Sequence, residues 1–148
     1  MKKQLSIEKA LSAAVSKTFA DMAFVDTLFV ENGEKENLTF SQVIRIKIFS
    51  PRRGEIVLYL PKFCKKLIVE NIYGDDWKTL HPTEIDDCLL EILNVLAGNF
   101  LTNYFGDSKK HDISLPEILF DKEELSSDKF YDFTFTADDN LFRISINI

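Results

Sequence analysis

One uninterrupted stretch, Thr83 to Phe105, constrains the fold more than any other part of the chain. It reads TEIDDCLLEILNVLAGNFLTNYF, holds no proline, and is long enough for about six helical turns. Ile85, Cys88, Leu89, Leu90, Ile92, Leu93, Val95, Leu96, Ala97, Phe100, Leu101 and Tyr104 cover most of its circumference. A helix apolar on so many sides is buried by neighbours, so the rest of the chain must wrap around it.

One narrow stripe breaks that apolar surface. At about 100° per residue, Asp87, Glu91, Asn94 and Gly98 fall within roughly 60° of one another, and Glu84 and Thr102 extend the line. Glu84, Asp86 and Asp87 suit the first turn after Thr83, a candidate N-cap, because carboxylates there meet free N–H groups and the positive end of the helix dipole. Glu91 and Asn94 lie too deep for that role. Asn is a poor mid-helix residue and Gly98 costs about 1 kcal/mol relative to Ala. Two readings stand side by side: a solvated face with a glycine for packing, or a seam on which a partner docks.

The remaining segments supply the wrapping. Leu5 to Met22 carries Ile7, Leu11, Ala14, Val15, Thr18, Phe19 and Met22 on one helical face. Phe24 to Val30 reads as a strand, and Glu31 to Thr39 as a loop around Gly33. Phe40 to Ser50 alternates, with Phe40, Ile44, Ile46 and Ile48 on one side and Arg45 and Lys47 on the other. Pro51-Arg-Arg-Gly54 turns the chain, and Ile56, Leu58 and Leu60 alternate again. This predicts a hairpin whose basic face, Arg45, Lys47, Arg52 and Arg53, meets water. Pro61 starts a second helix that Gly74 stops. Trp77 and His81 lie in the connection to the long helix, with Trp77 read as packing over the core edge. Ile113 to Leu119 is predicted as an edge strand interrupted by Pro116, and Phe120 to Ser127 as an acidic helix or loop. Tyr131, Phe133 and Phe135, a turn at Ala137 to Asn140, then Phe142, Ile144, Ile146 and Ile148 form a last hairpin. Strands with one apolar face need a cover, and about three helices are available. The prediction is an α+β, two-layer domain spanning residues 1–148, an antiparallel β-sheet covered by helices.

Composition narrows the function. The 148 residues suit one domain with its own core. Twenty-four acids against 18 bases give a net charge of −6, which argues against nucleic acid and anionic membrane surfaces as partners. The two cysteines, Cys64 and Cys88, sit among apolar residues and read as buried free thiols. Met1-Lys-Lys leads into Glu8 and Lys9 rather than an apolar run, so a signal peptide is not indicated and a cytoplasmic location is expected. Histidines at ligand spacing are absent, and the five glycines do not cluster into a phosphate loop.

The pattern Asp87-x-x-x-Glu91-x-x-Asn94-x-x-x-Gly98 resembles the signature of the chemotaxis phosphatases of the CheC, CheX and FliY group. The context resembles it too: a strand at Gly54-Glu-Ile-Val-Leu-Tyr59, a helix from Pro61 to Tyr73, the signature helix, and then His111-Asp-Ile-Ser-Leu-Pro116. The single signature in a short chain is closer to CheX than to CheC. The resemblance implies a CheC/CheX-like fold and hydrolysis of the phospho-aspartate of a CheY-like response regulator. It implies that Asn94 orients the attacking water and Glu91 contacts the regulator's active-site lysine, while Asp87 and Gly98 support helix position and close approach. It implies no metal ligand and no cofactor in this chain, the Mg²⁺ arriving with the phosphorylated partner. It also implies a homodimer. The two hairpins, read as outer elements with exposed edges, would join through their sheet edges and leave the signature helices free. The alternatives are a non-catalytic adaptor of the same fold in chemotaxis, flagellar-switch or two-component signalling, and a metal-dependent hydrolase using Glu84, Asp87 and Glu91.

Overall fold

The computed structural model describes residues 2–31, 39–74, 76–120 and 129–148. In chain order these form α1 (Lys2–Ala23), β1 (Thr27–Phe29), β2 (Phe40–Ser50), β3 (Gly54–Pro61), α2 (Lys62–Tyr73), a 3-10 turn (Trp77–Thr79), α3 (Pro82–Phe105), β4 (Asp112–Ile113), β5 (Glu117–Ile118), β6 (Tyr131–Ala137) and β7 (Asn140–Asn147). The strands make one antiparallel sheet in the order β1-β6-β7-β3-β2-β4, with β5 also pairing β2. This is the α+β arrangement of three helices on an antiparallel sheet that the patterning predicts.

Strand alternation sorts the sheet into two faces. Ile44, Leu58, Ile144 and Phe133 stand in one register row across β2, β3, β7 and β6, and all are buried beneath the helices. One residue along, the row is Glu117, Arg45, Val57, Ser145 and Asp132. A one-residue step changes face because the side-chain period is two. On the core side, Phe19 of α1 stacks on Phe142 of β7 at 5.0 Å, and Phe142 stacks on Phe135 at 5.6 Å.

Several expectations change. The two hairpins are not outer elements: β3 pairs β7, so the C-terminal strand lies in the middle of the sheet. Among the described residues the sheet ends instead in β1 and in the short β4 and β5. The apolar C-terminal run therefore has partners on both sides and needs no gatekeeper. Arg45 is not on a wet face. It is 6% exposed, pairs with Glu117 (Nε to Oε1 2.9 Å), and has Glu55 at 3.7 Å. A guanidinium so buried is tolerated because carboxylates compensate its lost hydration. Phe40 does not share the face of Ile44. A bulge between Phe40 and Gln42 turns its ring onto Tyr59, 5.1 Å away, beneath Arg143.

The expected strand from Phe24 shrinks to Thr27–Phe29, because Phe24 takes a positive φ of 54° as the chain leaves α1. The expected edge strand at Ile113 to Leu119 is two dipeptides separated at Ser114 to Pro116, where proline has no N–H to give. Pro61 is the N-cap of α2 rather than its first residue, and Gly74 ends that helix in the left-handed region at φ 70°. The last hairpin turns through Asp138 and Asp139, both at positive φ. Trp77 packs against the edge of the core, as expected. The predicted loop and acidic segment fall largely at 32–38 and 121–128, outside the described residues. Among the described residues no helix is long and apolar enough to cross a membrane.

Candidate functional site

The long helix begins one residue earlier than the expected cap. His81, not Thr83, is the N-cap. Its Nδ1 accepts the Thr83 N–H at 3.2 Å, and Glu84 Oε1 accepts the His81 N–H at 3.2 Å. Pro82 fills the first helical position, where a missing N–H has no consequence. The signal was present as His-Pro-x-Glu, a capping box with histidine in place of serine or threonine. Glu84 is therefore taken up by the cap, which removes one carboxylate from the metal-hydrolase reading. Among the described residues no group of three or more His, Cys, Asp or Glu side chains is placed to hold a metal ion.

Most other polar side chains of α3 are also committed. Asp86 accepts from Gln42 Nε2 at 3.4 Å. Asn99 donates to Thr18 Oγ1 at 2.9 Å and Asn103 to the Ala10 carbonyl at 3.2 Å, tying α3 to α1. Tyr73, at the end of α2, donates its hydroxyl to the Glu84 carbonyl at 3.1 Å. Its phenol is raised above its ordinary range by desolvation, then by Cys88, Glu84 and Asp87, and so stays a donor at neutral pH.

Asp87, Glu91 and Asn94 differ. Asp87 and Glu91 are exposed and Asn94 is half-buried. Among the described residues, none of the three side chains has a hydrogen-bond or ion-pair partner. Glu91 and Asn94 lie one turn apart on the same face, flanked by buried Leu89, Ile92, Leu93 and Leu96 that fix the helix beneath them. Gly98 follows one turn later. A Cβ built there would meet only His111 Nε2, at 4.0 Å, which is ordinary contact. Among the described residues no packing demands glycine at this place. The structure thus brings Asp87, Glu91, Asn94 and Gly98 together as one open seam and adds His111, which sequence spacing alone could not connect to it.

The seam offers no nucleophile of its own. Burial pushes the Cys88 thiol up to about 11 and the Cys64 thiol up to about 12, so both stay protonated and unreactive near neutral pH. A carboxylate and a carboxamide side by side can accept, donate and orient, but they form no covalent intermediate without strong activation.

None of the curated proteins compared matches the chain. Among solved structures, a chemotaxis protein CheX from Desulfovibrio desulfuricans superposes with TM-score 0.75 at 15% identity, covering 95% of this chain and 97% of that one. CheX in the CheX–CheY–BeF3–Mg²⁺ complex from Borrelia burgdorferi superposes with TM-score 0.71 at 16% identity, covering 93% and 94%. The FliM middle domain from Vibrio alginolyticus gives 0.63 at 12% identity, covering 95% and 89%. At such identities these likenesses speak for the fold alone. The family model of the chemotaxis phosphatase CheX, however, matches residues 43–136, a span that holds most of β2, all of β3 and α2, and the whole of α3 with its seam. On that match, the chain belongs to the CheX family of chemotaxis phosphatases.

Proposed function

We propose that this protein hydrolyses the phospho-aspartate of a CheY-like response regulator, with α3 presenting Glu91 and Asn94 to the partner's active site. The observation that supports this reading is the contrast along one helix: Glu84, Asp86, Asn99 and Asn103 are used in the cap and in contacts with β2 and α1, while Asp87, Glu91 and Asn94 have no hydrogen-bond or ion-pair partner among the described residues.

The chemistry suits that pair. Hydrolysis of an acyl phosphate needs water placed in line with the departing carboxylate. The water oxygen bonds to phosphorus, the bond from phosphorus to the aspartyl oxygen breaks, and inorganic phosphate and a free carboxylate result. Asn94 orients the water, since a carboxamide donates and accepts without titrating. Glu91 pairs with the partner's lysine and sets the docking register. Asp87 holds the near end of the seam and Gly98 lets the partner approach. The Mg²⁺ belongs to the partner's phosphoryl site, where it offsets charge on the phosphoryl oxygens. The comparison with a CheX–CheY complex supports a receiver of this kind as the partner. The proposal includes a homodimer joined at sheet edges, which light scattering at micromolar concentration tests.

The experiment is phosphate release from a phosphorylated CheY-like receiver domain with Mg²⁺. Wild-type protein should accelerate it. Asn94→Ala should lower turnover on the order of 10²-fold with unchanged thermal unfolding. Glu91→Ala should weaken both binding and turnover, through loss of a charge-assisted contact of about 1.5–3 kcal/mol. Glu84→Ala should reduce stability by about 0.5–2 kcal/mol through the cap and spare activity. Full activity in Asn94→Ala would remove the water-orienting role. Binding without acceleration by the wild type would make the protein an adaptor.

A further inference from the structure

The segment that follows α3 returns along the same helix. His111 stands beside Gly98, toward the C-terminal end of the seam. Eight or so residues on, Ile118, Leu119 and Phe120 line one groove with Gln42 and Asp86, at the N-terminal end of α3. The segment therefore runs antiparallel to α3, along its β2 side. Ser114 to Pro116 lie between those two ends of the segment.

Leu115 is 89% exposed in that stretch. Its exposure is imposed by tethers on both sides. Before it, the Ser114 N–H donates to the Lys47 carbonyl at 2.8 Å, and Ser114 Oγ accepts the Lys47 N–H at 2.9 Å. After it, Glu117 and Ile118 pair with Arg45 and Ile44, Glu117 grips the buried Arg45, and the Leu119 N–H donates to the Val43 carbonyl at 2.8 Å. Between the two anchor points Pro116 has no N–H for the ladder, and the chain bows away from β2. A large apolar side chain held outward on an anchored backbone loses little entropy when a partner covers it.

We propose that residues 111–119 form the second wall of the receiver-docking site, with Leu115 as its apolar anchor and His111 as a polar contact at the open end above Gly98. The inference rests on the phosphatase reading of the seam. The occupant is the phosphorylated receiver domain, whose reactive centre meets Glu91 and Asn94 and whose neighbouring apolar surface covers Leu115. Around His111 the exposed Asp107, Lys109, Lys110 and Asp112 balance in charge, so the charge of the seam is that of Asp87 and Glu91. Those two carboxylates complement the lysine beside the receiver's phosphoryl pocket, and the wall is continuous with them through His111 at Gly98.

The test uses the full chain and a receiver domain phosphorylated with a small acyl phosphate and Mg²⁺. Phosphate release is followed as a function of receiver concentration. Leu115→Ser should raise KM about tenfold or more with kcat and thermal unfolding unchanged. His111→Ala should raise KM by a smaller factor, and His111→Gln, which keeps an N–H donor, should recover part of it. Leu5→Ser, a half-exposed leucine beside β1 at the far edge of the sheet, should leave KM unaltered. Wild-type turnover with an unchanged KM in Leu115→Ser would overturn the second wall and leave the phosphatase reading standing. Absence of both binding and turnover in the wild type would overturn the phosphatase reading, and the wall with it.

Discussion

The start of the central strand β3 and the seam of α3 each hold a glycine, and the two glycines answer to different neighbours. At Gly54 an added Cβ would fall 2.2 Å from the Asn147 carbonyl oxygen, a backbone atom of β7. At Gly98 it would touch only the tip of one exposed histidine, at 4.0 Å. The polar residues divide in the same way. Asn99 and Asn103 are spent on α1, while Asn94, on the same helix, has no partner among the described residues. Where the fold explains a costly residue, that residue belongs to stability. Where it does not, the proposed docking supplies a reason.

The largest expected effect is on the committed side. Gly54→Ala forces β3 and β7 apart where β3 begins and β7 ends, and should destabilise by about 1–3 kcal/mol or more, read from denaturant midpoints. A tolerated Gly54→Ala would break the contrast between the two glycines.

The dry side also has a pH signature. Burial raises Cys64 from an ordinary value of 9.0 to about 12 and Cys88 to about 11. Both thiols are neutral in the folded state at neutral pH. As pH rises past 9 the unfolded chain ionises its thiols while the folded one does not, so the contribution is complete below pH 9 and is lost between there and about 12. Stability against urea should fall across that window, and Cys64→Ala should flatten the fall. An identical slope in the variant would place Cys64 in a wetter site than its burial indicates.

The two asparagines give a sharper division. Asn99→Ala strips the buried Thr18 hydroxyl of its donor and should cost about 1–3 kcal/mol of stability with little change in phosphate release. Asn94→Ala should do the reverse. Similar losses in both assays for both variants would merge the regions into one structural element.

Gly98→Ala is the smallest effect and the most discriminating. A helix-interior glycine costs about 1 kcal/mol relative to alanine, so the variant should be more stable by up to that amount. If the seam is a docking face, the same methyl group should weaken receiver binding. Gain of stability with loss of binding separates the two roles; gain in both would return Gly98 to the solvated face of an ordinary helix.

Much of this was legible in the chain itself. The long helix, its apolar girth, the polar stripe and the two hairpins follow from periodicities of 3.6 and 2, which are properties of a single segment and need no partner to be read. The candidate seam was legible for the same reason: Glu91, Asn94 and Gly98 lie on one helix, so spacing places them together. What lay outside that range was every relation between segments. That β7 lies beside β3, that Arg45 is buried against Glu117, that a bulge turns Phe40 to the other face, and that His111 comes beside Gly98 are outcomes of long-range packing, in which strand order and register minimise exposed edges and uncompensated charge. The sequence alone determined which residues could form the seam. Only the tertiary structure decided that Glu91 and Asn94 have no partner among the described residues, because that depends on which other side chains arrive beside them.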